Sequence, residues 1–260
     1  MSDSEHDAFV RASFERQAAL FSGHDSPFAA RTGMLAWIEP LDPGMIVLDV
    51  ACGAGHAAES IAGSVRQVVG IDLTGALLSL GCDRLRSSGT TNVLLQEGDA
   101  EALPFVDDSF DLVFCRSSLH HFAEPHEAVA EMIRVCRGAG RIVLLDIVSP
   151  DAQVRDRFDH LHRLIDPSHA RSFLEAELAE LVPGGPEALT YANTFEIRLP
   201  VDVALTEQSE TDEVHQLLRQ EIEGSGSRTG LDPADEDGQL VVSFTTCVVH
   251  GCKPTASQSR

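Results

Sequence analysis

Basic residues are scarce in this 260-residue chain: 19 lysines and arginines stand against 41 aspartates and glutamates, a formal charge of -22. So acidic a chain repels nucleic-acid phosphates and anionic lipid surfaces, which argues against both as partners. The densest basic group, Arg155, Arg157, Arg163 and Arg171, is interleaved with Asp156, Asp159 and Asp166 and reads as a solvated helix face. No apolar run reaches the length of a membrane span. The opening Met1-Ser-Asp-Ser-Glu-His-Asp7 lacks the basic and apolar regions of a secretory leader, so a cytoplasmic location is expected. Cysteines 52, 82, 115, 136, 247 and 252 include no pair at the two-residue spacing of zinc or thioredoxin motifs, so no disulfide framework is implied and reduced, buried thiols are expected. There is no internal repeat. A hydrophobic content of 43% is enough for one large core, so residues 1–252 are expected to form one domain, with 253–260 a polar, frayed tail.

What is present begins with Ile46-Val-Leu-Asp-Val-Ala-Cys-Gly-Ala-Gly-His56. An apolar run leads into Asp49, Gly53 and Gly55 follow, and residues 57–62 regain helical composition, so the order is strand, glycine turn, helix. Glycine lets the backbone reverse sharply and approach a ligand, presenting N–H groups at a helix start. The next strand, Val68-Val-Gly-Ile-Asp72, ends in an acid that can accept hydrogen bonds from ribose hydroxyls. A nicotinamide dinucleotide fits less well. Position 58, where a third glycine belongs, is Ala, and Ala51 replaces a possible earlier one. Asp49 would also face a pyrophosphate's charge, whereas it suits a cation such as a sulfonium with an amino group.

Further along stand Gln96-Glu-Gly-Asp-Ala-Glu-Ala-Leu-Pro-Phe105, Asp108-Ser-Phe-Asp-Leu-Val-Phe114 and Ser118-Leu-His-His-Phe122. With the glycine turn they resemble the class I S-adenosylmethionine-dependent methyltransferases, in the small-molecule branch related to quinone and sugar methyltransferases, over roughly residues 40–150. Glu131-Met-Ile-Arg-Val-Cys-Arg-Gly-Ala-Gly-Arg-Ile-Val-Leu-Leu-Asp146 is similar to the family's helix, turn and fifth strand, although Cys136 to Gly140 depart from the usual turn. The resemblance implies an α/β, Rossmann-like seven-stranded sheet, order 3-2-1-4-5-7-6 with the last strand antiparallel, helices on both faces and a helical lid. It implies S-adenosylmethionine as methyl donor. Its methionine part would lie against Asp49, Gly53 and Gly55, its ribose against Asp72, and its adenine beside Asp99 and Ala100, with Ala51, Cys52, Leu73, Gly98 and Glu101 counted with the cofactor site. Cys115 and Arg116, ending the fourth strand, are counted with the cofactor site.

Residues 8–21 place Val10, Phe14 and Phe21 near helical spacing, which predicts an amphipathic helix. Related enzymes cover the cofactor with such a helix, so Phe14 and Gln17 are expected to touch ligand, and 8–38 is expected to form an N-terminal cover with a second helix over 28–38. Residues 151–187 are the expected substrate lid, with helices over 151–165 and 172–181, where Ser172 and Glu175 have capping-box spacing. Two late strands, 190–199 and 240–249, flank a helix near 212–223 and an exposed loop over 224–238.

The chemistry is expected at His120, His121 and Asp146. Methyl transfer to oxygen or an acidic carbon requires a positioned nucleophile and often removal of its proton, which suits a histidine. Asp146 can hold one imidazole and stabilise its charge, and His120 is the preferred base of the two. His24, His160, His162 and His169 are further histidines that can face substrate or solvent. No magnesium cluster is expected, since the acids are scattered and Asp107 and Asp108 read as a turn. The expected activity is methylation of a small molecule, with oxygen favoured, by a monomer or homodimer. The alternatives are a quinone-type C-methyltransferase, a protein that binds the cofactor without methyl transfer (a regulator, or a pericyclic or isomerising catalyst) and an NAD-dependent oxidoreductase.

Overall fold

A strand buried on both faces needs apolar side chains at consecutive positions. Val47, Leu48 and Val50, Val68, Val69 and Ile71, Leu112 to Cys115, and Ile142 to Leu145 meet that need, and all are buried. In the computed structural model, which describes residues 3–18 and 36–255, these runs form the centre of one sheet. Its strands are β1 (Ile46–Val50), β2 (Gln67–Asp72), β3 (Val93–Glu97), β4 (Phe110–Arg116), β5 (Cys136–Ile147), β6 (Tyr191–Pro200), β7 (Ala234–Glu236) and β8 (Gln239–Cys252). The order is β3-β2-β1-β4-β5-β8-β6. β1 to β5 are parallel, and β8 runs antiparallel to both β5 and β6. The seven long strands therefore follow the expected order. The short β7, paired with β8, is an addition that three residues, two of them acidic, do not announce.

The helices are α1 (Asp3–Gln17), α2 (His56–Ile61), α3 (Gly75–Ser88), α4 (Pro125–Val135), α5 (Arg155–Ile165), α6 (Glu175–Glu180), α7 (Val201–Ala204) and α8 (Thr211–Ile222). α4 shows how they are specified. Pro125 sits in its first turn, where no N–H is needed, and Ala128, Val129, Met132 and Val135 form the buried stripe. Two apolar layers cover the sheet, and a third cluster lies apart from them. In it Phe158, Leu161 and Ile165 of α5 pack on Val201, Val214, Leu218, Leu231 and Val242. α5 thus shares a core with α7 and α8, so the cover above the sheet draws on two separate stretches of chain.

Several local expectations change. The helix after residue 172 starts at Glu175, and the carboxylate receiving the N-terminal N–H is Glu177, bonded by Leu174 N at 2.9 Å. Phe173 is drawn into the core and bridges Val148, which keeps residues 172–173 extended and moves the cap along the chain. The 224–238 loop is not exposed throughout, because Thr229 and Leu231 are buried and Ser243 N–H donates to the Leu231 carbonyl at 2.7 Å. The first helix is described from Asp3 to Gln17, and Phe21 lies outside the described residues. The helix expected over 28–38 falls mostly outside the described residues, as do His24 and the end of the tail. At the other boundary Lys253 is tied to Asp108 at 2.8 Å and to the Cys136 carbonyl at 2.8 Å.

One glycine makes a tight contact that bears on the site. A Cβ on Gly81, in α3, would lie 2.4 Å from the Ala54 carbonyl oxygen and 2.5 Å from Leu95 Cδ1. Gly81→Ala is expected to lower unfolding free energy by about 1–3 kcal/mol through overpacking, despite alanine's better helix propensity. A urea midpoint at or above that of the parent chain would show that the turn yields without cost.

Candidate active site

The chain order reverses between β1 and β4, so the carboxyl ends of these central strands splay connections in opposite directions and leave a crevice. A cavity of 390 Å³ occupies it. Ala51, Cys52 and Gly53 line it from the glycine turn, Asp49 and Asp72 from the strand ends, with Leu73 next to Asp72. Gly98 to Glu101, Arg116 and both His120 and His121 complete the floor, while Phe14 and Gln17 close it from α1. Gly55, Cys115 and Asp146 are not part of this wall. Gly55 has φ 73° and its N–H closes the turn on the Cys52 carbonyl at 2.8 Å, so it shapes the loop from behind. Cys115 is buried in the core, and burial holds its thiol, like that of Cys52, well above the usual range and therefore unreactive.

The turn is stretched over the end of β2. Cys52 N–H donates to the Ile71 carbonyl at 3.0 Å, and Gly53 N–H donates to Asp72 Oδ2 at 2.7 Å. Thr74 N–H donates to Asp72 Oδ1 at 2.8 Å, so both carboxylate oxygens are fixed. Burial raises Asp72 above the ordinary carboxylate range, and these backbone bonds act against it. Ala51 holds a φ of 55° in spite of its Cβ, which costs about 1–2 kcal/mol and marks strain at the ligand side of the turn.

Asp49 is the least satisfied group of the site. It is buried, burial pushes its carboxyl up to about 8, and Arg116 and the Ala58 N–H only partly offset that. Its Oδ2 has no hydrogen-bond partner. A buried carboxyl of this kind favours a cation in the adjoining cavity, which would supply the charge it lacks.

The two adjacent histidines are told apart by their partners. His120 Nδ1 lies 2.5 Å from Asp146 Oδ1, and the His120 main-chain N–H donates to Asp146 Oδ2 at 3.2 Å. Ile147 N–H gives Asp146 a third bond at 2.7 Å. Since a carboxylate only accepts, Nδ1 carries the proton and Nε2 is the basic nitrogen turned away from Asp146. Burial lowers the basicity of His120, but the Asp146 charge and hydrogen bond outweigh it and the pKa lies above the ordinary histidine value. His121 behaves oppositely. Burial and the His120 charge push it down to about 3, its Nδ1 lies 3.1 Å from the Ser168 carbonyl and hydroxyl, and its ring meets Phe14 edge to face at 5.0 Å. His121 is a neutral wall residue that also positions α1, through a 2.7 Å bond from His6 Nε2 to its carbonyl oxygen.

Beyond this pair the cavity becomes apolar. Ile147, Ile165, Ile197, Leu199, Val203 and Phe244 line it. Ile197, Leu199, Val203 and Phe244, together with Gln208, which receives Arg16 Nη2 at 2.7 Å and so straps α1 down, went unnoticed in the sequence. They lie in β6, α7, β8 and a connecting loop, and nothing in a strand's alternation says that one end of it borders a ligand. Of the remaining histidines, His162 reaches the cavity, His169 is buried on Asp159 at 2.8 Å, and His160 faces Glu213 at the surface. Arg155 and Arg171 are engaged with Glu177, and Arg163 with the Ala170 carbonyl. Among the described residues no cluster of three metal-ligating side chains occurs and no helix is long and apolar enough to cross a membrane.

Residues 41–220 match a family described as a methyltransferase domain. The chain is 42% identical over 135 residues to the uncharacterized methyltransferase YcgJ of Bacillus subtilis, covering 52% of this chain and 52% of that protein, and thus spans about half the length of that relative. It is 31% identical over 186 residues to a demethylmenaquinone methyltransferase of Clavibacter sepedonicus, covering 71% of this chain and 70% of the relative. A crystal structure of a putative methyltransferase from Bacillus halodurans superposes with a TM-score of 0.75 at 28% identity, over 86% of this chain and 98% of the other.

Proposed function

The chain belongs to the S-adenosylmethionine-dependent methyltransferases of class I, and from that premise we propose that it methylates an acidic, phenol-like hydroxyl of a largely apolar small molecule, with His120 as the base. The observation that carries this reading is the shared cavity: Asp49, with an unpartnered carboxyl oxygen, and His120, held from behind by Asp146, border one space whose remaining wall is mostly apolar. S-adenosylmethionine fits the first part. Asp49 would hold its cationic methionine end, Asp72 its ribose, and Gly98 to Ala100 its adenine, and when bound it supplies an electrophilic methyl group on a sulfonium. His120 takes the acceptor proton on Nε2. Asp146 keeps the imidazole in the required tautomer and compensates the positive charge that forms. Residues of α5, α7, β6 and β8 exclude water and orient the acceptor, and 151–187 acts as part of that cover together with α1.

A second reading has its own support in the demethylmenaquinone methyltransferase relative. There the methyl group would go to a ring carbon made nucleophilic when His120 deprotonates a neighbouring hydroxyl. Incubation with S-adenosylmethionine and a panel of phenols and hydroquinones, followed by NMR of the products, separates the two. An O-methyl ether with equimolar S-adenosylhomocysteine is expected, and a ring-carbon methyl would favour the second reading. An acceptor converted while the sulfonium is recovered unchanged would overturn both.

A further inference from the structure

We propose that His162 is a second anchor for the acceptor, its Nε2 receiving a hydrogen bond from a hydroxyl that the acceptor carries besides the one that is methylated. This rests on the acceptor reading above and narrows it to dihydroxylated molecules. His162 is 5% exposed and lies on α5, where its Nδ1 is 2.8 Å from the Phe158 carbonyl oxygen. That oxygen has no proton to give, so Nδ1 is the donor and Nε2 the bare acceptor. Burial, with the charge of neighbouring His169, pushes the ring down to about 3, so it stays neutral. Nε2 is buried and has no hydrogen-bond partner, in a side chain that forms part of the cavity wall.

The ring cannot easily turn to find a partner elsewhere. It lies against Phe158 with centroids 4.1 Å apart and planes tilted by 36°, meets Phe244 edge to face at 5.5 Å, and has the His169 ring 5.1 Å away. Its neighbours in the wall, Ile165 and Phe244, supply no hydrogen bond. A fixed acceptor in a mostly apolar stretch of wall orients a ligand, and leaving such an acceptor buried and unsatisfied is unfavourable. A helix-packing role accounts for Nδ1, through its bond to the preceding turn, and leaves Nε2 without a purpose. The acceptor would then bridge two basic nitrogens with different duties: His120 Nε2, raised in basicity by Asp146, takes a proton, and His162 Nε2, kept neutral, only receives a hydrogen bond. Sites that bond a substrate hydroxyl discriminate strongly against the analogue without it.

Phenol, catechol, resorcinol and hydroquinone serve as probes on the full chain. With S-adenosylmethionine, kcat/KM for the best dihydroxybenzene is expected to exceed that for phenol by about 100-fold or more. In His162→Phe that ratio should collapse to roughly that expected from size alone, within about tenfold, mainly through KM. His162→Gln, whose side-chain carbonyl also accepts, should recover part of it. Long-range ¹H–¹⁵N NMR of the ¹⁵N-histidine-labelled S-adenosylhomocysteine complex should show His162 as the Nδ1–H tautomer, its Nε2 signal moving with the dihydroxybenzene. A ratio preserved in His162→Phe, a proton found on His162 Nε2, or an Nε2 signal unmoved while the probe occupies the cavity would overturn the proposal. If Nε2 responds to the dihydroxybenzene and no probe is methylated, the anchor stands and the hydroxyl-acceptor reading falls.

Discussion

His120→Ala is expected to lower kcat by about 10²–10⁴-fold, the usual contribution of a positioned general base, with a much smaller change in S-adenosylhomocysteine affinity. The asymmetry follows from position, since His120 contacts Asp146 and lines the cavity as a neighbour of His121, while the glycine turn, Asp72 and Asp49 line it from β1 and β2. Equal losses of turnover and cofactor binding would make the residue structural. The pH profile gives an independent check. If His120 is the base proposed above, its working form is the neutral imidazole, so activity should rise with pH through its pKa, and because Asp146 raises that pKa the acid limb should lie above the ordinary histidine value. Asp146→Asn removes the charge that opposes desolvation. The His120 pKa must then fall, so the acid limb should move to lower pH even as the maximal rate drops. A limb that stays in place would assign the titration to another group. His121→Phe offers the contrast, because His121 is held neutral at every pH of interest and should shift neither limb.

Cofactor affinity is expected to rise with pH, by roughly tenfold per unit between pH 6 and 7.5, because binding a cation requires Asp49 to lose one proton. The sign follows from the free protein, where burial pushes Asp49 up to about 8, so its carboxyl is mostly neutral in this range. A positively charged ligand favours the ionised form and lowers the pKa in the complex. Between the two pKa values each binding event therefore releases a proton, and lower proton concentration drives association. Calorimetry with S-adenosylmethionine in buffers of different ionisation enthalpy measures the release directly. In Asp49→Asn the pH slope should vanish, and the affinity at the upper end of the range should fall by about 10–100-fold, the worth of a charge-assisted hydrogen bond in a buried site. A flat profile in the parent chain would mean that Asp49 is already ionised and that Arg116 is its true partner.

These effects differ in how far they can be read from residues alone. The cofactor end of the cavity is local in sequence: Asp49, Gly53 and Asp72 lie within two successive strand-turn units, and their backbone demands are met by the residue types present. Gly53 with φ 55° and the Gly53-to-Asp72 bond follow from that sequence order. His120 and Asp146 could be paired in advance because β4 and β5 are neighbours in any sheet of this order. The pattern could not tell whether His120 or His121 faces the carboxylate, because adjacent residues in a tight turn point in different directions that packing decides. Ser168, arriving from the loop after α5, takes His121 out of contention. The polar spacing from Ser172 to Glu175 suggested a cap that the burial of Phe173 displaces, an instance of tertiary packing overriding a local signal.

The sequence by itself determined the sheet order, the glycine turn between Asp49 and Asp72, and the proximity of the adjacent histidines after β4 to Asp146 at the end of β5. Each depends on contacts between neighbouring elements, whose geometry is set by period, turn chemistry and handedness. Only the tertiary structure decided the apolar wall of the cavity. Ile147, His162, Ile197, Leu199, Val203 and Phe244 come from five elements spread over nearly a hundred residues, and they converge because α5, α7, α8 and β8 share one apolar core. Local pattern records that each of these side chains is apolar or aromatic. Which of them borders the cavity, and that one imidazole nitrogen among them is left without a partner, is settled by how distant segments pack.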